Sequence, residues 1–400
     1  MNIPFSPPYI NEDVVNEVTD VLRSGWLTTG SKVKMLEDRI CEFTGANRVL
    51  CVNSWTSAAI LMLKWLGLKQ GDEVILPAYT YSATALAVIH AGGKPVMVDS
   101  SDDFNISIDA IEKAITPNTK AIMPVDIGGY PCDYDRIMAL AESKKSVFKP
   151  FGEVQEILGR IMIISDAAHS LGGFYNGKRI GCNADTVIFS LHAVKNITTG
   201  EGGAICLNLL QGFDNDETYA QLRMMALNCQ TKDAFTKSKA GGWRYDIIGP
   251  GMKINMPDIN AAIGVAQMRV HDELSDKRKS IFKRYNDAFS KCDWAIVPPV
   301  RNSQKESSCH LYALRLKGHD EAFRDRMIDE IAKTGVAVNV HFIPMPMLSY
   351  FKSLGYRIED YPCAYSNYKG EISLPTYPQL TDEQIEYIIR SVIESYEACI

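Results

Sequence analysis

The stretch "SLHAVKNITTGEGGAI", residues 190–205, sets one lysine, Lys195, in a polar, glycine-containing turn between two apolar runs, "DTVIF" (185–189) and "AICLNLL" (204–210). Apolar runs of that length bounded by turn residues read as buried strands. A surface lysine needs no such setting. A lysine among apolar strands with few counter-charges loses its proton more easily, and the free amine can then attack a carbonyl. The sequence therefore points to a reactive amine at the end of a buried strand.

Working outward, the same texture runs from about residue 48 to 208. "RVLCV", "DEVILPA", "KPVMVD", "AIMPVD", "RIMIISDAA", "DTVIFS" and "AICLN" read as seven strands. Between the earlier ones, "TSAAILMLKWLGL", "SATALAVIHAGG", "SIDAIEKAI" and "DYDRIMALAESKK" carry helical apolar spacing. That alternation predicts an α/β fold: a mostly parallel seven-stranded sheet flanked by helices, with its ligand beyond the carboxyl ends of the strands. After residue 255 the texture changes. "MPDINAAIGVAQMRVHDELSDKRKSIFKRYNDAFSK" reads as one or two amphipathic helices, followed by "HLYALRL", a helix near 320–333, "GVAVNVHF" and a last helix from Thr381. The expected division is a large domain over residues 1–250 and a smaller α+β domain over 251–400. Residues 144–160, "KKSVFKPFGEVQEILGR", read as an insertion.

Composition limits the function classes. At 400 residues the chain exceeds what one core usually serves, and 46% hydrophobic with 22% charged residues is ordinary for a soluble protein. A net charge of −6 with no basic block argues against nucleic acid. No long apolar run or basic-plus-apolar leader is present, so neither a membrane span nor a signal peptide is expected, and the expected compartment is the cytoplasm. Ten scattered cysteines without a C-x-x-C pair read as free thiols, and the seven histidines form no ligand-spaced cluster, so no metal is expected.

Asp166 ends the strand in "IISDAAHS". Alone it reads as a helix cap, but with Lys195 one strand later it becomes a carboxylate able to pair with a protonated ring nitrogen, as pyridoxal phosphate chemistry requires. "VNSWTSAAI" (52–60) passes from strand to helix through a small polar turn. Its backbone N–H groups, with the hydroxyls of Thr56 and Ser57, can hold a phosphate or simply cap the helix. Ser190 is a second phosphate donor, and Tyr81 follows a strand where an aromatic could cover a flat ring.

"GWLTTG" (25–30), "NSWTSAA", "PAYTYSATA", "SDAAHSLGG", "SLHAVKNITTGEGG", "MPDINAAIGVAQM" and "LPTYPQLTDEQ" together resemble the DegT/StrS-type sugar aminotransferases, in family order over nearly the whole chain. The resemblance implies the type I fold of pyridoxal 5'-phosphate enzymes, with pyridoxamine 5'-phosphate as the alternate cofactor form. It implies Lys195 as the Schiff-base lysine, Asp166 as partner of the ring nitrogen, His169 beside the ring and Tyr81 stacked on it. Trp55, Thr56 and Ser190 fall at phosphate contacts. Asn255 falls where some members reach across a homodimer to the same phosphate, giving shared active sites. The apolar face Ile259, Ala262, Ile263 and Ala266 would then form part of that interface. Thr28, Thr29, His192, Lys253 and His341 fall near the substrate.

The reaction implied moves an amino group from an amino acid, L-glutamate, to a nucleotide-linked keto-sugar. The commonest family substrate is a 4-keto-6-deoxy hexose, here expected on UDP, for a surface polysaccharide such as capsule or lipopolysaccharide; a C3-keto sugar is the other acceptor admitted. Trp55 stands where the family has a small residue, "GPGMKINMPD" (249–258) departs from the commoner motif, and "HFIPMPM" (341–347) lacks a second histidine. Two alternatives share the fold. A sugar dehydratase carries histidine in place of Lys195, and a non-catalytic sensor needs neither Lys195 nor Asp166.

Overall fold

The computed structural model describes residues 1–209, 212–232 and 243–400. The strands in chain order are β1 (Arg48–Val52), β2 (Glu73–Pro77), β3 (Lys94–Val98), β4 (Thr119–Ile122), β5 (Met162–Asp166), β6 (Phe174–Tyr175), β7 (Lys178–Arg179), β8 (Thr186–Ser190) and β9 (Gly203–Leu207). Seven of these, all where the apolar runs predicted them, make one sheet in the order β1-β9-β8-β5-β4-β2-β3. The run β8-β5-β4-β2-β3 is parallel, whereas β9 lies antiparallel to both β1 and β8.

Alternate residues of each strand enter different cores, as the pleat dictates. Ile164, Ile188 and Ile205 face α3 (Trp55–Trp65) and α4 (Ala83–Ala91), while Ile163, Val187 and Phe189 face residues that include Leu36, Ile40 and Val265. Both faces are covered, so the strands are apolar throughout rather than alternating. Segment 144–160 carries a short helix, Glu153–Leu158, and is clamped to the end of α3 by Gln155, whose amide donates to the Leu66 carbonyl at 3.0 Å.

The apolar stretch after residue 255 forms one 32-residue helix, Asp258–Phe289, packed on the helices Glu12–Ser24 and Ser31–Thr44. Its first residue is also a cap for the second of these. Asp258 accepts from the backbone N–H groups of Gly30 (2.8 Å), Val33 (3.0 Å) and Lys32 (3.2 Å). A side chain at Gly30 would sit 2.7 Å from that carboxylate, so the contact requires glycine. Of the face expected to pack against a second chain, Ala262 and Ala266 are buried within this chain, while Ile259 and Ile263 are partly exposed.

The C-terminal sheet consists of β10 (Ala295–Ile296), β12 (Tyr312–Leu316) and β13 (Glu371–Leu374), and β11 (Lys305–Glu306) pairs with β6 instead. It shares a separate core with the helices Glu321–Lys333 and Asp382–Cys399, the latter capped by Thr381 as its sequence predicts. "GVAVNVHF" does not form a strand. Val336 pairs with Ile3 and Asn339 with Ser373, so the segment changes partner before a ladder can extend. All ten cysteines are free. Among the described residues no helix is long and apolar enough to cross a membrane.

Candidate active site

A cavity of about 460 Å³ opens at the carboxyl ends of β5 and β8. Nine residues singled out in the sequence line it: Trp55, Thr56, Tyr81, Asp166, His169, Ser190, His192, Lys195 and His341. Strand ends and the turns after them bring these together, as a parallel sheet does.

Asp166 is fully embedded. Its Oδ2 accepts from the Thr84 hydroxyl at 2.9 Å and its Oδ1 from the Ala168 N–H at 3.2 Å. Burial outweighs these donors and pushes its pKa up to about 7. Burial likewise pushes Lys195 down to about 8, against the attraction of Asp166. Burial thus moves both groups toward their neutral forms, which leaves Asp166 short of a cation and makes the Lys195 amine easier to free as a nucleophile.

The start of α3 forms one wall of the cavity. Ser54 Oγ caps the helix, accepting from the Ser57 N–H at 3.1 Å, which leaves the N–H groups of Trp55 and Thr56 without helical acceptors. Ser57 is therefore the capped residue and does not line the cavity. The Trp55 indole turns away to donate to the Ile188 carbonyl at 3.1 Å, so the residue offers its backbone rather than its ring. Gly203 makes this turn fit: a Cβ there would lie 2.5 Å from the Ser54 carbonyl oxygen and 2.7 Å from the Trp55 nitrogen.

Sequence reasoning missed Thr84 and a second group built around His310. Ser307–Leu311 threads beneath the cavity, its backbone held by Gly128 and Gly129, with Cys309 in the left-handed region (φ 55). His310 Nδ1 lies 3.0 Å from Asn196 Oδ1, and Asn196 in turn donates to the Ser308 carbonyl at 3.0 Å. The residue beside Lys195 is thereby tied to a distant segment. His169 Nδ1 accepts from the Gly128 N–H at 3.2 Å, so its proton sits on Nε2. Burial, with Lys195 nearby, holds His169 neutral; burial and His169 do the same for His310.

Thr28, Thr29, Lys253 and Asn255 do not line the cavity of their own chain. Asn255 donates to Thr29 Oγ1 at 2.7 Å and accepts from Lys253 Nζ at 2.6 Å, and Thr29 donates to the Met256 carbonyl at 2.6 Å. Lys253, Asn255 and Thr29 form a polar cluster of their own, with Lys253 exposed, and the Thr28 carbonyl accepts from the Asp258 N–H at 3.3 Å.

These features fit pyridoxal phosphate. Asp166 supplies a buried carboxylate to meet a ring N–H, and the turn at Ser54–Thr56 with Ser190 supplies an anion cradle. Tyr81, 62% exposed, leaves a ring face open beside the cavity. When bound, that group supplies an aldehyde to receive an amine and a ring that stores an electron pair.

The fold and the site define a pyridoxal phosphate-dependent aminotransferase. Residues 8–393 match the DegT/DnrJ/EryC1/StrS aminotransferase family, to which this chain belongs. The spore coat polysaccharide biosynthesis protein SpsC of Bacillus subtilis is 35% identical over 395 residues, covering 98% of this chain and 96% of that protein. Among solved structures, Spr1654 of Streptococcus pneumoniae, assigned as a sugar aminotransferase and solved in its PMP form, superposes with TM-score 0.96 at 42% identity over the whole of both chains. It is also solved in a PLP form. Helicobacter pylori PseC, an aminotransferase of pseudoaminic acid biosynthesis, superposes with TM-score 0.86 at 26% identity, again over the whole of both chains.

Proposed function

We propose that this protein transfers the amino group of L-glutamate to a UDP-linked 4-keto-6-deoxy hexose, supplying an amino sugar for a glycan. The observation that carries the reading is that one cavity brings together Lys195, whose burial eases loss of its proton, and Asp166, a buried carboxylate with only two neutral hydrogen-bond donors. Neither a dehydratase nor a sensor calls for both. The sugar acceptor is supported by relatives that act in polysaccharide and pseudoaminic acid synthesis.

In this reading Lys195 holds the cofactor, and its amine, once released, takes and returns the proton at the carbon that loses or gains nitrogen. Asp166 would keep the ring nitrogen protonated, and His169, with its proton on Nε2, would lie beside the ring. Lys195 is the only lysine or arginine among the described residues lining the cavity, so a phosphate dianion and a donor carboxylate lack cations in one chain. The polar cluster of Lys253, Asn255 and Thr29, with the adjacent Thr28, would supply polar and charged groups from the second chain of a homodimer with shared active sites.

The test is to incubate the pyridoxamine phosphate form with UDP-, dTDP- and GDP-linked 4-keto and 3-keto sugars and to score amine products by mass. A UDP-linked 4-amino product is expected. Amination of a 3-keto sugar alone, or loss of water without nitrogen transfer, would overturn the reading.

A further inference from the structure

Behind His341 lies a chain of polar groups for which the reaction above has no use. His341 Nδ1 lies 2.9 Å from Ser373 Oγ, Ser373 Oγ contacts Glu371 Oε1, and Glu371 Oε2 accepts the His341 backbone N–H at 2.9 Å. The His341 carbonyl accepts from the Tyr79 hydroxyl at 2.7 Å, and the ring stacks on Phe5 with centroids 5.3 Å apart. Ser373 and Glu371 are wholly buried and do not line the cavity, whereas His341 does. With Nδ1 engaged, Nε2 is the nitrogen left for whatever enters.

A serine hydroxyl has one proton and can give it in only one direction. With Glu371 ionised, Ser373 donates to it and accepts from His341 Nδ1–H, so Nε2 carries a lone pair. With Glu371 protonated, its O–H donates to Ser373, Ser373 donates to Nδ1, and the ring proton sits on Nε2. Passing from the second state to the first releases one proton. Nε2 loses its proton to solvent while the Glu371 proton moves to Ser373 and the Ser373 proton to Nδ1.

We propose that Glu371 and Ser373 fix the tautomer of His341, and so decide whether the keto-sugar meets a hydrogen-bond donor or an acceptor at that wall. The substrate part of this rests on the function proposed above. It makes His341 a specificity-determining residue and Glu371 and Ser373 its positioning residues. The charged groups facing Glu371 are Arg324 and Arg315, which favour its ionised form. Burial outweighs them, and its pKa is pushed up to about 8. Tyr79 faces it too, with its hydroxyl spent on the His341 carbonyl. His341 faces Lys195, His169 and His310 across the cavity. Its burial, with Lys195, pushes it down to about 4, so the ring changes tautomer without gaining charge. Below the Glu371 midpoint the wall donates; above it the wall accepts.

Neutron diffraction from deuterium-exchanged crystals of the holoenzyme, at about pH 6 and about pH 10, reads the positions directly. A deuteron is expected on His341 Nε2 at the lower pH and on Nδ1 at the higher. Glu371→Gln, whose amide N–H copies the protonated carboxyl, should keep it on Nε2 at both. The same position at both values in the wild type, or a Gln variant that shifts as the wild type does, overturns the relay. With a keto-sugar that the wild type aminates, KM should change about tenfold across the midpoint, the worth of one hydrogen bond, and stay flat in Glu371→Gln. Flat profiles in both overturn the role in recognition. If no keto-sugar is aminated, it is the substrate reading that fails, and the deuteron positions still decide the relay.

Discussion

The Thr84 hydroxyl donates to Asp166 Oδ2 at 2.9 Å, joining the first turn of α4 to the last residue of β5. With the Ala168 N–H it gives the carboxylate two neutral donors, too few to offset burial, which leaves Asp166 pushed up to about 7. The site thus has a built-in demand for a cation opposite that oxygen.

Removing the cofactor should therefore make stability depend on pH. The folded pKa of Asp166 lies above its unfolded value of about 3.9, so the folded state holds the proton more tightly. Its contribution is complete below about pH 4 and is lost as pH rises through about 7. A ring N–H opposite the carboxylate offsets that loss. The gap in Tm between holo and apo forms should widen from about pH 4 to about pH 7, and should widen less in Asp166→Asn. Equal gaps at both ends would show that no cation meets Asp166.

Asp166→Asn should also keep the cofactor while slowing transamination by orders of magnitude, because an amide cannot hold the ring nitrogen protonated. Single-turnover rates with glutamate measure this. A variant running at the wild-type rate would reduce Asp166 to a helix cap.

Purified protein should show an absorption band abolished by borohydride. Lys195→Ala should lack the reducible linkage and turnover while melting within a few degrees of the wild type. An active Lys195→Ala enzyme would remove the lysine from the chemistry.

Gly203→Ala would press a methyl group against Ser54 and Trp55 at 2.5 to 2.7 Å. A cost of about 1–3 kcal/mol is expected from such overpacking. Because the strain falls on the turn proposed to hold the phosphate, the Kd for pyridoxal phosphate should rise about tenfold or more, as equilibrium dialysis would show. Loss of stability with unchanged affinity would place the phosphate elsewhere.

Mixing Lys195→Ala chains with Asn255→Asp chains tests the shared site. Each homodimer should be inactive, whereas a hybrid keeps one site with an intact lysine and an intact Asn255 from the other chain. Activity should return in the mixture. Hybrids that form and stay inactive would confine Asn255 to its own chain's contact with Thr29.

The sheet was legible because its strands are buried on both faces and so appear as unbroken apolar runs, from "RVLCV" to "AICLN". Asp166 was legible because it ends such a run, and Lys195 because it stands in the polar turn between two of them. Thr84 and His310 were not: their partners Asp166 and Asn196 lie 82 and 114 residues away, and no local pattern records a contact at that distance. Gly203 was hidden for a related reason, since the backbone it makes room for belongs to another strand's turn. "GVAVNVHF" carried no element assignment, and only the fold shows that its residues pair with two different segments.

The first residues of the chain are wall rather than fringe. Ile3 pairs with Val336, Phe5 lies on the His341 ring, and Ser6 joins the cavity lining. A substitution at Phe5 or Ser6 would therefore reshape the cavity wall beside His341.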